Sequence, residues 1–129
     1  MTERLEIKLP WPPSMNHYWR SIVRKPKRPG AKLFARAIIS EDGRKFQRDV
    51  VHHLIHWKRA FTGRLAVEIE LCAPTRARLD LDNRLKPLLD AMQHAGVYLD
   101  DSQIDELMVR RGPTGKPGHA KVVVREVGG

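Results

Sequence analysis

The sequence has a single cysteine, Cys72, in 129 residues. An internal disulfide framework is therefore excluded, and the chain suits a reducing cytosol. No apolar run approaches the roughly 20 residues of a membrane span, and the first residues lack the apolar core of a signal peptide. Neither membrane insertion nor export is expected. No glycine-rich phosphate loop is present, and no serine or cysteine is arranged as a nucleophile beside a base. Internal repeats are absent, and the length suits one domain over residues 1–129. Negative charge is also scarce. The chain has 24 Lys and Arg against 15 Asp and Glu, a net charge of +9 and a pI near 10.2. Such a balance favours nucleic acid or an anionic membrane surface as partner.

What acid there is lies close together. Residues 80 to 106 hold seven acids and two bases, an island of −5 in a body of +14. By contrast, Arg20 to Arg36 carries seven basic residues and no acid, with Pro26, Pro29 and Gly30 inside it. That run cannot bury a core face, and residues 21–36 are expected to form a mobile basic loop.

Alternation of polar and apolar residues predicts strands at 4–9 and 65–73, the first ended by Pro10, Pro12 and Pro13. Cys72 falls inside the second and reads as a small buried side chain. Ala37 to Ile39 reads as a short strand, and Ser40 as the N-cap of a helix over 41–58 whose stripe is Phe46, Val50, Leu54 and Trp57. A second helix is predicted from about Asn83 to Ala95, with Leu85, Leu88, Leu89 and Met92 on one side. Pro87 argues for an N-cap at Asp82 or Asn83, and Gly96 supplies the stop. Val97 to Leu99 reads as a short strand. Residues 106–111 and 120–127 read as a hairpin around Gly112 to Gly118. The fold class is α/β: a single small domain with a mixed β-sheet packed by two main α-helices.

Asp80 and Asp82 are two residues apart, and in an extended segment both carboxylates fall on one face. Bare carboxylates that close repel, and a hard divalent cation such as Mg²⁺ or Mn²⁺ relieves the repulsion with oxygen ligands. A third carboxylate would complete the site. Asp100 and Asp101 point oppositely in an extended chain, so one of them is expected to reach the metal, and spacing does not say which. Lys86, one helical turn from Asp82, can approach a phosphate held there. The competing reading makes Asp82 or Asn83 a helix cap and the other acids solvated turn residues. Arg76 and Arg78 flank the motif as candidate phosphate grips, and Arg20, Arg24, Lys25, Lys27 and Arg28 read as diffuse phosphate contacts. His52 and His56 have two-histidine metal spacing but no carboxylate partner, so a zinc site is discounted. Trp11, Tyr18 and Trp19 read as packing residues.

The run Asp80-Leu81-Asp82-Asn83-Arg84-Leu85-Lys86, continuing through Pro-Leu-Leu to Asp90-Ala91 and on to Gly96-Val-Tyr-Leu-Asp-Asp-Ser-Gln-Ile104, resembles the RusA family of Holliday-junction resolvases. So does the opening Leu9-Pro-Trp-Pro-Pro-Ser-Met-Asn-His-Tyr-Trp-Arg20. The resemblance implies a homodimeric endonuclease that cuts four-way DNA junctions by paired nicks in recombination and repair, with Mg²⁺ or Mn²⁺. It implies Asp80, Asp82 and Asp101 as the acidic triad, Lys86 as the essential base, and Asp100 as a further carboxylate. Asn16, Asn83 and Asp90 would be supporting residues. A bacterial or prophage-encoded cytoplasmic enzyme is expected. The readings set against it are a nuclease selective for forks or flaps and a non-catalytic basic DNA-binding protein.

Overall fold

The computed structural model describes residues 4–24, 27–30 and 34–128. Four strands form the main sheet: β1 (Arg4–Pro10), β4 (Leu65–Cys72), β5 (Ile104–Arg111) and β6 (His119–Glu126), in the order β1-β6-β4-β5. β6 is antiparallel to both β1 and β4, whereas β5 runs parallel to β4, so the sheet is mixed. Its inner face is apolar. Leu5 and Leu9 of β1, Val67, Ile69 and Leu71 of β4, and Val122 and Val124 of β6 are buried there. Phe46 and Val50 of helix α2 (Glu41–His53) and Leu88 and Met92 of helix α3 (Asp82–His94) join the same core cluster.

Residues 106–111 and 120–127 were expected to pair as a hairpin, and they do not. β4 lies between β5 and β6. After β5 the chain passes over the end of β4, where Gly112 N–H donates to Leu71 O at 2.9 Å and Gly115 N–H to Ala73 O at 2.9 Å. Composition explains the placement. β6 has valines for a central strand, whereas β5 carries charge at four of eight positions and takes the edge.

The expected loop over 21–36 is also corrected at both flanks. Strands β2 (Trp19–Arg24) and β3 (Phe34–Ile39) form a two-stranded antiparallel ribbon, with Arg20 opposite Ile38 and Ile22 opposite Arg36. Positive charge excludes a core strand but not a ribbon whose side chains stay in water. Trp19 and Ile39, opposite each other at its base, pack against the core.

A single helical turn, α1 (Met15–Tyr18), precedes the ribbon. Ser40 caps α2 as expected, its Oγ accepting from Gly43 N–H at 2.9 Å. Its amide and hydroxyl also donate to Tyr18 O, at 2.9 and 3.0 Å. Gly43 is required by that approach, because a Cβ there would lie 2.3 Å from the Tyr18 carbonyl oxygen. α2 stops at His53, not 58, and then tightens: Trp57 N–H bonds to Leu54 O at 2.9 Å, three residues back. Leu54 still falls on the buried side.

α3 begins one residue earlier than predicted. Leu81 occupies the N-cap position in helical geometry (φ −65°, ψ −44°), and no side chain caps the helix. Neither Asp82 nor Asn83 is the cap. Pro87 therefore sits in the second turn, where it cannot donate to the Asn83 carbonyl. Gly96 ends the helix with φ +85°. The strand expected at Val97–Leu99 reduces to one bridge, Phe61 to Tyr98.

Candidate active site

Leu81 decides where the two leading acids point. Its side chain packs against the core while Asp80 and Asp82 on either side stay exposed. The segment is thus a turn entering a helix, not the extended stretch that the two-residue spacing suggested. Neither carboxylate has a hydrogen-bond or ion-pair partner among the described residues. Asn83, half-buried in the first turn, also makes no side-chain hydrogen bond among them. Lys86 lies one turn on. It lines an open depression with Asn16, Trp19, Arg20 and Ala37, so the two sequence blocks meet around it.

Two fastenings hold the blocks together. The guanidinium of Arg84 donates to Pro12 O at 2.9 Å and sits 5.4 Å from the Trp11 ring centre. Burial there lowers the Arg84 pKa. Further along α3, the carboxylate of Asp90 accepts from the Tyr18 hydroxyl, which itself accepts from Gln47 Nε2 at 2.8 Å. Tyr18 is fully buried, and burial, then Asp90, pushes its hydroxyl pKa up. Asp90 therefore anchors α1 to α3. Arg84 and Gln47 carried no signal in the sequence, because their partners lie 72 and 29 residues away.

The last two acids have different surroundings. The Asp100 carboxylate accepts from Ser102 N–H at 3.0 Å, capping the 3-10 turn of Asp101–Gln103. Hydrogen bonds from Ser102 hold its carboxyl below the usual carboxylate range. Gln103 completes the cap. It is buried, accepts from the amides of Leu99 and Asp100, and donates to the carbonyls of Phe61 and Gly63. Asp101 bonds through its amide to Gln93 Oε1 at 3.0 Å, and its exposed carboxylate has no partner among the described residues.

Distance separates Asp101 from the leading pair. Asp82 and Gln93 share a face of α3 but are about 16 Å apart along its axis. β5 gives the same answer. Arg111 at one end donates to Leu79 O at 2.7 Å, beside Asp80, while Asp101 precedes the other end. That strand is about 23 Å long. Among the described residues, no three acidic, histidine or cysteine side chains converge as a metal site. The donor chemistry of Asp80 and Asp82, unpartnered carboxylate oxygens, fits a hard divalent cation. Among the described residues, no further acid, histidine or cysteine joins them in a metal-holding group.

Arg76, Arg78 and Arg111 line a shallow trough with Asp80. Arg111 was not singled out from the sequence, since only the fold brings the end of β5 to residue 79. Arg20, Lys27 and Arg28 are exposed, the first in the Lys86 depression. Lys25 and the side chain of Arg24 lie outside the described residues.

The family model described as "Endodeoxyribonuclease RusA" matches residues 10–125. A crossover junction endodeoxyribonuclease of Enterobacteria phage HK97 is 37% identical over 121 residues, 92% of this chain and 92% of the relative. That of Enterobacteria phage 82 is 35% identical over 125 residues, 95% and 94% of the two chains. That of Escherichia coli strain K12 is 34% identical over 125 residues, with the same coverage.

Proposed function

Because the chain belongs to the RusA family of endodeoxyribonucleases, we propose that it is a Holliday-junction resolvase, cutting four-way DNA by paired, metal-dependent nicks. The observation that carries this reading is the unpartnered Asp80/Asp82 pair at the head of α3, with Lys86 one turn on and Arg76, Arg78 and Arg111 alongside. A basic body attracts the DNA backbone, and the one acidic island in it marks where a cation is wanted.

Mg²⁺ or Mn²⁺ held by Asp80 and Asp82 would polarise the scissile phosphate and supply a reactive water at neutral pH. The chain's own residues do the rest. Lys86 faces the phosphate and offsets the charge that builds on its oxygens as water attacks. Arg76, Arg78 and Arg111 hold flanking phosphates, and Arg20 extends that contact toward the ribbon. Asn16, exposed beside Lys86 and without a side-chain hydrogen bond among the described residues, is placed to meet the substrate, while Tyr18 and Asp90 fix the α1 turn to α3. Hydrolysis leaves a phosphate on one side of the nick and a hydroxyl on the other.

The separation of Asp101 from Asp82 gives a homodimer a chemical reason. In this reading the partner's Asp101 completes the set around Asp80 and Asp82, and Asp100 acts as the cap that holds the turn. Two-fold symmetry then supplies two equivalent sites to two equivalent strands. The setting is the cytoplasm of a bacterium or of a cell carrying a prophage, where the DNA is. Among the described residues no helix is long and apolar enough to cross a membrane.

The test compares cleavage of a four-way junction, a fork, a flap and linear duplex in Mg²⁺. The junction should be cut at least about tenfold faster than each of the others. Equal rates on fork or flap would replace this reading with a broader branched-DNA nuclease.

A further inference from the structure

A second open depression shares no lining residue with the one around Lys86. It lies where β1 ends and β6 begins, with Pro10 opposite His119. Lys8, Trp11, His53, His119 and the Pro117–Gly118 turn wall it, and no acid is among its described lining residues. Its volume, about 680 Å³, falls in the usual range for small-molecule sites.

The walls suit an anion joined to a flat ring. Lys8 is exposed and makes no ion pair among the described residues. His53 is engaged through Nδ1 with Asp49 O at 2.7 Å, which leaves Nε2 for a ligand. Nε2 of His119 is buried without a hydrogen-bond partner among the described residues. Such an atom costs stability unless something meets it. Burial, then the charges of Lys8 and Lys121, lower the His119 pKa, and Glu70, which opposes them, is already held by Arg110 at 3.0 Å. The field there is therefore positive. Trp11 supplies the ring. It is half-buried against the core, and the Arg84 guanidinium sits 5.4 Å from its centre. Arg84 follows Asp82 by two residues, so the depression adjoins the head of α3.

We propose that this depression holds one unpaired nucleotide of the substrate, taken from beside the branch point, with its base on Trp11 and its phosphate against Lys8, His53 and His119. This rests on the junction reading above and names a subsite for it. A base inside a duplex has both faces covered by its neighbours and cannot meet a tryptophan ring. Where strands exchange, the stack is already interrupted, and extruding a base costs least. Stacking on an aromatic ring offsets that cost whatever the base, because every base has a flat face. The subsite thus reads structure, not sequence. It gives the protein a grip on branched DNA that linear duplex cannot use, beside the acids that cut.

Photocross-linking of the full chain tests this, with four-way junctions that carry 5-iododeoxyuridine at one branch-adjacent position at a time, in a chelator that prevents cutting. At least one position should cross-link to Trp11, and the same nucleotide in linear duplex should not. Trp11→Leu should weaken junction binding roughly tenfold and linear-duplex binding less than about twofold, whereas Trp11→Phe keeps most of the junction affinity. Lys8→Ala should lower the salt slope of junction binding by about one. Should Trp11→Leu fail to fold, the double variant Lys8→Ala/His119→Ala must show the same split between junction and duplex. No cross-link to Trp11 from any branch-adjacent position, or equal losses on junction and duplex, overturns the subsite. If the wild type cuts junctions in Mg²⁺ without that cross-link, the subsite fails and the functional reading stands. If the cross-link forms but no junction is cut in Mg²⁺, the functional reading fails and the subsite does not.

Discussion

Replacing Asp82 by Asn is expected to lower junction cleavage by about a thousandfold or more, several kcal/mol of transition-state stabilisation. The substitution preserves size and removes only the charge, and among the described residues Asp82 makes no hydrogen bond or ion pair that Asn would break. Thermal stability and junction binding should change little. The loss should appear in kcat. Asp101→Asn should give a comparable loss, although it lies about 16 Å of helix away from Asp82. Mixing the two inactive variants separates the arrangements. If a site draws Asp82 from one chain and Asp101 from the other, a mixed dimer contains one intact site, and single nicks return. If both come from the same chain, every site in the mixture is damaged and no cutting returns.

Lys86→Ala is expected to reduce kcat by about a hundredfold to a thousandfold, the scale of removing one preorganised electrostatic group. Junction affinity should fall only slightly, because one cation among many contributes little to backbone binding. Arg111→Ala should behave in the opposite way. It loses a phosphate contact and the hold on Leu79 O, so binding weakens and the salt dependence of binding becomes shallower. Equal effects of the two variants on kcat and on affinity would remove the distinction between a residue at the reacting phosphate and one at its neighbours.

The parts legible in the sequence were those set by local pattern. β1 and β4 alternate cleanly because one face is buried, and α3 carries a continuous apolar stripe ending at a glycine. Pairing was not legible. Nothing in Glu106 to Arg111 says that its neighbour is β4 and not β6, since alternation reports a face and not a partner. The ribbon was missed because seven basic residues without an acid look like an unfolded segment. Backbone pairing across Arg20 and Ile38, anchored at Trp19 and Ile39, needs no buried strand face. The cap of α3 was misplaced because Asp82 and Asn83 are strong capping types, whereas Leu81 takes the position through its packing.

The candidate site divides the same way. The acids, Lys86 and Asn16 could be named from residue chemistry and family resemblance. What Asp100 and Asp90 do could not. Asp100 is occupied by Ser102, and Asp90 by a tyrosine 72 residues earlier. The distance between Asp82 and Asp101 was hidden as well: the helix between them was legible, but the contact that holds the Asp101 amide on Gln93 at its far end was not.

The most direct measurement is incubation of the wild-type protein with a synthetic four-way junction, with Mg²⁺ and with a chelator, followed by mapping and religation of the products. Two symmetrically placed nicks that ligase can seal are expected, formed only with the metal. Cutting that persists in the chelator, or an intact junction with Mg²⁺ present, would contradict it.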